Sequence, residues 1–231
     1  MKRWFGLGEL PPVAEQRAQM VERQLVRRGI RDERVLAAMG AVPRERFLPN
    51  TLAGQAYADK ALPIGRGQTM SQPYIVARMT EALGLPAWQA VHGGRRPRVL
   101  DVGTGSGYQA AVLAQMDAAV VSIERDEHLA EAARRILEDL GYDVRVLVGD
   151  GSEGVSAEAP FAAIVVAAAA PEVPAPLVAQ LEPDGRLVVP VGSRREQQMV
   201  LVQREGDGHV IRPLEPAVFV PLVGGHGFGG P

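Results

Sequence analysis

Cysteine is absent from the 231-residue chain, which removes a disulfide framework, a thiolate metal site and a cysteine nucleophile together. Aromatic residues make up only 5%, leaving little surface on which unpaired bases could stack. Nearly all the positive charge is arginine, in small groups such as Arg27-Arg28, Arg95-Arg96 and Arg194-Arg195, with no long basic run. With 25 basic against 27 acidic residues and a net charge of -2, nonspecific nucleic-acid binding is not expected as the main activity. No segment approaches the roughly 20 apolar residues of a membrane span. The opening MKRWFGLGELPP has no apolar run long enough for a signal peptide, so a soluble cytoplasmic protein with no membrane partner is expected. His92, His128, His209 and His226 share no metal-ligand spacing, and no metal is expected.

What is present suits one substantial α/β domain, with 46% hydrophobic residues. Residues 1–92 read as a helical region, 93–192 as a cofactor-binding core and 193–231 as a hairpin and tail. In the first region, Val13, Met20, Val21 and Leu25 recur at helical spacing over 13–27, with Gly29 as the stop. Asp32 is placed to cap a helix bearing Val35, Leu36 and Met39 that Gly40 ends. After the loop IGRGQTMSQP (64–73), Ile75, Val76, Met79, Ala82 and Leu83 predict a helix with Pro73 in its first turn and Gly84 after its last.

From residue 98 the texture changes. RVLDV (98–102), AVVSI (119–123), VRVLV (144–148), FAAIVVA (161–167) and RLVVPV (186–191) read as buried strands with helical segments between them. The clearest of those helices carries Leu129, Ala132, Ala133, Ile136, Leu137 and Leu140 on one stripe, with Asp126 to cap it and Gly141 to end it. This alternation predicts a doubly wound, mostly parallel sheet. QQMVLVQ (197–203), the turn EGDGH and a second β-like run predict a closing hairpin.

The strongest motif is VLDVGTGSGYQAA (99–111), a strand that runs through Asp101 into Gly103, Thr104, Gly105 and Gly107 before a helix. Glycines there let a ligand approach the backbone where strand ends and helix amides converge. Tyr108 stands where a dinucleotide fingerprint needs its last glycine, and no G-x-x-x-x-G-K-[ST] occurs. The motif resembles that of class I S-adenosyl-L-methionine-dependent methyltransferases, with a Rossmann-like fold. A carboxylate at Asp101 suits the cationic amino end of that cofactor and would be repelled by a pyrophosphate. Glu124, 21 residues past Gly103, ends the next strand where an acidic side chain can accept both ribose hydroxyls. Asp150, in Gly149-Asp150-Gly151, resembles the residue that meets the adenine amino group, although Asp-Gly is also a common turn.

ALPIGRGQTMSQPYIVARMTEAL (61–83) closely resembles the substrate-side motif of protein-L-isoaspartate O-methyltransferases. MVERQLVRRGIRDERVLAAMGAVPRERFLP (20–49), LEPDGRLVVPVG (181–192) and VFVPL (218–222) resemble the same family in the same order. The resemblance implies methyl transfer to the free carboxylate of L-isoaspartyl residues in damaged proteins and peptides, with D-aspartyl residues as a second candidate class. The methyl ester then cyclises to a succinimide that reopens partly to normal aspartate. It also implies that Ser71 is the active-site serine, with Gln68 and Thr69 beside it. Ser71 can equally be read as the N-cap of the helix starting near Pro73. The alternatives are a methyltransferase of another substrate class, nucleic acid or small molecule, and a noncatalytic homologue that keeps the cofactor pocket. Two positions depart from the family pattern: Ala162 stands where an aspartate is usual and Ala167 where a threonine is usual.

The loop itself carries no obvious base. A carboxylate nucleophile with a reference pKa of about 4 is already ionised at neutral pH, so the reaction needs none.

Overall fold

The computed structural model describes residues 11–206 and 208–229. The first described element is helix α1 (Val13–Met20), which continues through a wider turn at Val21–Leu25 and a tighter one at Val26–Arg28. It stops where Gly29 turns left-handed at φ 95°. Met20 and Leu25 supply its buried side, and Ile30 is buried just beyond its end. Asp32 caps α2 (Glu33–Ala41) by accepting from Arg34 N and Val35 N. This helix runs one residue beyond Gly40, which sits inside its last turn rather than ending it.

The segment read as an open loop before Pro73 is in part a two-stranded antiparallel hairpin, β1 (Leu62–Gly65) and β2 (Gln68–Met70), with Leu62 opposite Met70. Gly65, Arg66 and Gly67 all take positive φ, at 92°, 52° and 71°, and this reverses the chain within three residues. Helix α3 (Pro73–Leu83) follows and ends at left-handed Gly84, after which α4 (Leu85–Val91) starts at once. α4 was not foreseen, because Gly84 read as a stop with no helix after it.

The remaining elements come in βα alternation: β3 (Arg98–Val102), α5 (Tyr108–Gln115), β4 (Ala119–Glu124), α6 (Glu127–Asp139), β5 (Val144–Val148), β6 (Phe161–Val166), α7 (Ala175–Ala179) and β7 (Leu181–Gly192). The hairpin β8 (Gln197–Glu205) and β9 (Gly208–Pro216) closes the series. The sheet order is β5-β4-β3-β6-β7-β8-β9; pairs from β5 to β7 are parallel and the last two antiparallel. β7 starts five residues earlier than the run 186–191 suggests. Its register with β6 breaks between Leu181 and Arg186, where Asp184 takes φ 62°, so a stretch that reads as a turn is a bulge inside a strand.

Strand alternation divides the core between the two faces of the sheet. Val99, Val120, Ala163, Val165 and Val188 pack with α5 and the N-terminal helices. Leu100, Val102, Val121, Ile164 and Leu187 pack with Leu177 of α7 and Leu222 of the tail. The chain leaves β3 toward β4 and β5, then returns to place β6 on the other side of β3. That reversal opens a crevice at the carboxyl ends of β3 and β6, where ligands of such sheets bind.

Candidate active site

A cleft lies at this switch point, with about 860 Å³ of space, part of it open solvent. Small-molecule sites run to roughly 300–1,000 Å³. One wall is the loop after β3, with Gly103, Thr104 and Gly105; a second is the end of β4, with Glu124; Gly151 contributes beyond β5. Facing them are Gln68, Thr69 and Ser71. Eight of the eleven residues singled out from the sequence therefore line one cleft, although Gln68 and Ser71 are separated from Gly151 by about 80 positions.

Asp101, Gly107 and Asp150 do not line it. Asp101 lies beneath the glycine loop, fully buried. Its Oδ2 accepts from Ser122 Oγ at 2.7 Å, and its Oδ1 is buried with no partner. Burial pushes this carboxyl up to about 7; the Ser122 hydrogen bond opposes the rise and the Glu124 charge adds to it. Ser122 Oγ also lies 2.6 Å from Thr104 Oγ1. Because Ser122 gives its proton to Asp101, Thr104 donates to Ser122 and keeps its own lone pairs free to accept. Gly107, at φ 90°, is a packing position: a Cβ there would sit 3.3 Å from Leu137 of α6.

Glu124 is held from behind. Gly105 N donates to its Oε2 at 2.9 Å and Asp126 N to its Oε1 at 3.0 Å, so the glycine loop and the start of α6 fix the carboxylate. Each oxygen keeps acceptor capacity. Asp126 caps α6 as its position suggests, accepting from His128 N and Leu129 N, and it also pairs with Arg66 at the hairpin tip.

Asp150 caps the short turn at Gly151–Glu153 and reaches the tail. Its Oδ1 accepts from Ser152 N and Ser152 Oγ, and its Oδ2 accepts from Gly225 N at 2.7 Å. Partial burial would raise this carboxyl, yet the donors from Gly225 and Ser152 hold it below the ordinary aspartate value. Asp150 thus fastens the glycine-rich tail, and a Cβ on Gly224 would collide with its carboxylate. The fastening carries Val220, Pro221, Leu222 and Val223 across the cleft, where they form a wall that sequence reasoning missed.

Ser71 lines the cleft without capping α3. The N-cap position is Gln72, whose side chain makes no capping bond, which corrects the N-cap reading of Ser71. The Ser71 carbonyl accepts from Nη2 of Arg44 at 2.6 Å. Arg44 is fully buried, donates from Nε to Ala56 O at 2.8 Å and lies 4.7 Å from the centre of the Tyr108 ring. Of the two departures from the family pattern, Ala167 lines the cleft and Ala162 does not. No histidine or lysine lines the cleft, and Tyr108, which does, is raised above its usual pKa by burial. No cluster of three metal-ligating side chains occurs among the described residues. No helix among them is long and apolar enough to cross a membrane.

The strand order, the glycine loop after β3 and the acidic end of β4 define a Rossmann-like methyltransferase of the S-adenosylmethionine-dependent class. The family model of protein-L-isoaspartate(D-aspartate) O-methyltransferases matches residues 15–227. The protein-L-isoaspartate O-methyltransferase of Methanoculleus marisnigri is 52% identical over 224 residues, covering 96% of this chain and 98% of that one. Its counterpart in Methylorubrum extorquens is 52% identical over 225 residues, covering 96% and 94%. A solved protein-L-isoaspartate O-methyltransferase superposes with a TM-score of 0.77 at 30% identity, over 91% of this chain and 66% of that chain. A Plasmodium falciparum homologue, solved in complex with S-adenosyl-L-homocysteine, gives 0.75 at 25% identity over 90% and 98%. The chain belongs to the protein-L-isoaspartate(D-aspartate) O-methyltransferase family.

Proposed function

We propose that the chain transfers the methyl group of S-adenosyl-L-methionine to the free carboxylate of L-isoaspartyl residues in damaged proteins and peptides, with D-aspartyl residues as a second substrate class. The observation that carries this reading is the cleft in which donor side chains at Gln68, Thr69 and Ser71 face the glycine loop with no histidine or lysine between them. An ionised carboxylate needs no base, so the protein has to align two partners and keep water out.

The buried, unpartnered Oδ1 of Asp101 and the lone pairs of Thr104 fit the cationic amino end of the cofactor. Glu124, fixed by Gly105 and Asp126, fits the ribose hydroxyls. Bound there, the cofactor supplies a methyl group on a positively charged sulfur. Gln68, Thr69 and Ser71 orient the substrate carboxylate by hydrogen bonds without competing as nucleophiles. Because the substrate carboxylate is already ionised, these residues would have to align its oxygen with that methyl group and exclude water, without taking or giving a proton. Val220 to Val223 cover the reacting atoms from the tail side. The N-terminal helices share a core with the sheet, which supports treating 1–231 as one methyltransferase domain. The cytoplasm is the compartment that goes with this reading, because S-adenosylmethionine is made there.

The test is transfer of labelled methyl groups to two peptides that differ only in aspartyl versus isoaspartyl linkage, read as base-labile methanol. The isoaspartyl peptide is expected to be methylated at least about 100-fold faster, the cost of misplacing a reacting atom by about 1 Å. Equal labelling of both peptides, or a base-stable label, would overturn the substrate assignment.

A further inference from the structure

Arg44 is the one fully buried guanidinium among the described residues, and no carboxylate answers it. Its donors go to two main-chain carbonyls, Ala56 O and Ser71 O, and its Nη1 is buried with no partner. The groups that act on its charge are the two phenols Tyr108 and Tyr57, both neutral at physiological pH. A buried cation without a counter-ion is costly, and buried charges are as a rule paired.

Arg44 touches the cleft through both of its main contacts. Ser71, whose carbonyl it holds, and Tyr108, whose ring it covers, both line the wall. The buried charges are therefore segregated across the cleft. The carboxylates of Asp101 and Glu124 stand on the side of the glycine loop, and the guanidinium of Arg44 stands behind Ser71. A cation is favoured at the first side and an anion at the second, in a site where low dielectric makes such fields strong.

We propose that Arg44 is a positioning residue for the anionic substrate: it locks the Ser71 main chain and supplies the buried positive charge that the substrate carboxylate balances. The inference rests on the methyl-transfer reading above. It accounts for the missing counter-ion, which arrives with the substrate. It also predicts that discrimination between a charged and a neutral group at the reacting position depends on a residue 27 positions from Ser71 that lines no part of the cleft.

The experiment compares two isoaspartyl peptides, one with the free carboxylate and one with a carboxamide in its place. Binding of each to the protein loaded with S-adenosylhomocysteine is measured for wild type, Arg44→Met and Arg44→Lys. Wild type is expected to prefer the carboxylate. Arg44→Met should reduce that preference about tenfold, through weaker carboxylate binding alone, with S-adenosylhomocysteine affinity unchanged within about twofold; Arg44→Lys should restore most of it. Equal weakening of both peptides, or an unchanged preference, overturns the proposal, since a purely structural arginine would affect both alike. If Arg44→Met does not fold, Arg44→Gln decides by the same ratio, because it keeps donors for the carbonyls and drops the charge. Wild-type turnover on the isoaspartyl peptide is the control. Its absence would overturn the methyl-transfer reading, whereas normal turnover with an unchanged ratio overturns only the role of Arg44.

Discussion

Ser122 Oγ donates to Asp101 Oδ2 at 2.7 Å across neighbouring strands, while the other oxygen of Asp101 is buried with no partner at all. The pair sits side by side in the register of β3 and β4, so the sheet itself positions a half-satisfied carboxylate under the glycine loop. Burial pushes its pKa up to about 7. Between the ordinary value near 4 and that folded value, the native state keeps a proton that the unfolded chain has released. The stability from this group is therefore complete below about pH 4 and is lost as pH rises through about 7. Asp101→Asn, which still accepts from Ser122, is expected to stabilise the ligand-free protein at pH 8 by about 2–4 kcal/mol. The same change should weaken S-adenosylhomocysteine binding. Thermal unfolding against pH and calorimetry on both proteins test it; a variant that is no more stable at pH 8 would show that burial does not raise the pKa of Asp101.

Glu124 should be sensitive even to small changes, because its two oxygens also hold Gly105 N and Asp126 N. Glu124→Ala is expected to weaken S-adenosylhomocysteine binding by about 1–3 kcal/mol, part of it from the loosened glycine loop. Calorimetry gives the number. Unchanged affinity in the folded variant would remove Glu124 from the site.

Asp150 and Gly224 should act as one unit. Asp150→Ala removes the acceptor for Gly225 N, and Gly224→Ala places a methyl group against the Asp150 carboxylate. Each is expected to cost about 1–3 kcal/mol in tail docking and to speed proteolytic cleavage near residue 224. The double variant should be little worse than either single one. Additive losses would mean that the two residues hold the tail independently.

Ser71→Ala should separate stability from turnover. Since the N-cap position of α3 is Gln72, the loss of the hydroxyl is expected to cost less than about 0.5 kcal/mol, as for a substitution that breaks no cap. Turnover per folded molecule should nevertheless fall, because on the proposed function the hydroxyl helps orient the substrate carboxylate. A stability loss with unchanged turnover would make Ser71 structural.

Legibility from sequence followed the range of the interactions involved. β3, β4 and β6 announce themselves as short apolar runs flanked by helical stripes, and α6 by its periodicity and its Asp126 cap. The β1–β2 hairpin does not, since its strands are three and four residues long, contain Pro63, and join through three successive positive φ angles. The glycine loop and Glu124 are local signals at strand ends. Ser122, Arg44 and the tail residues Gly224 and Gly225 act on partners 21, 27 and about 75 positions away. No pattern along the chain marks such pairs. The tail contact of Asp150 was invisible for the same reason: its partner Gly225 lies 75 positions away.

Ala167 is where this chain's substrate preference should be adjustable. It follows β6, lines the cleft, and also lines the adjoining groove that runs past Ala61, Gln72 and Phe219. Thr69 and Ser71 border both spaces, so on the proposed function this alanine stands where the substrate side meets the cofactor side. A threonine there would add one donor within the ring of donors that faces the carboxylate, and would leave Asp101, Thr104 and Glu124 untouched. Ala167→Thr is therefore expected to lower KM for an isoaspartyl peptide by about 10- to 100-fold, the worth of one charge-assisted hydrogen bond, with S-adenosylhomocysteine affinity unchanged. The room is limited: a Cβ on Gly103 would already lie 3.8 Å from Ala167. A rotamer turned toward the glycine loop would instead obstruct the cofactor. Steady-state kinetics together with calorimetry separate the two results, because a fall in cofactor affinity without a gain in KM would mean that residue 167 belongs to the cofactor wall and not to the substrate side.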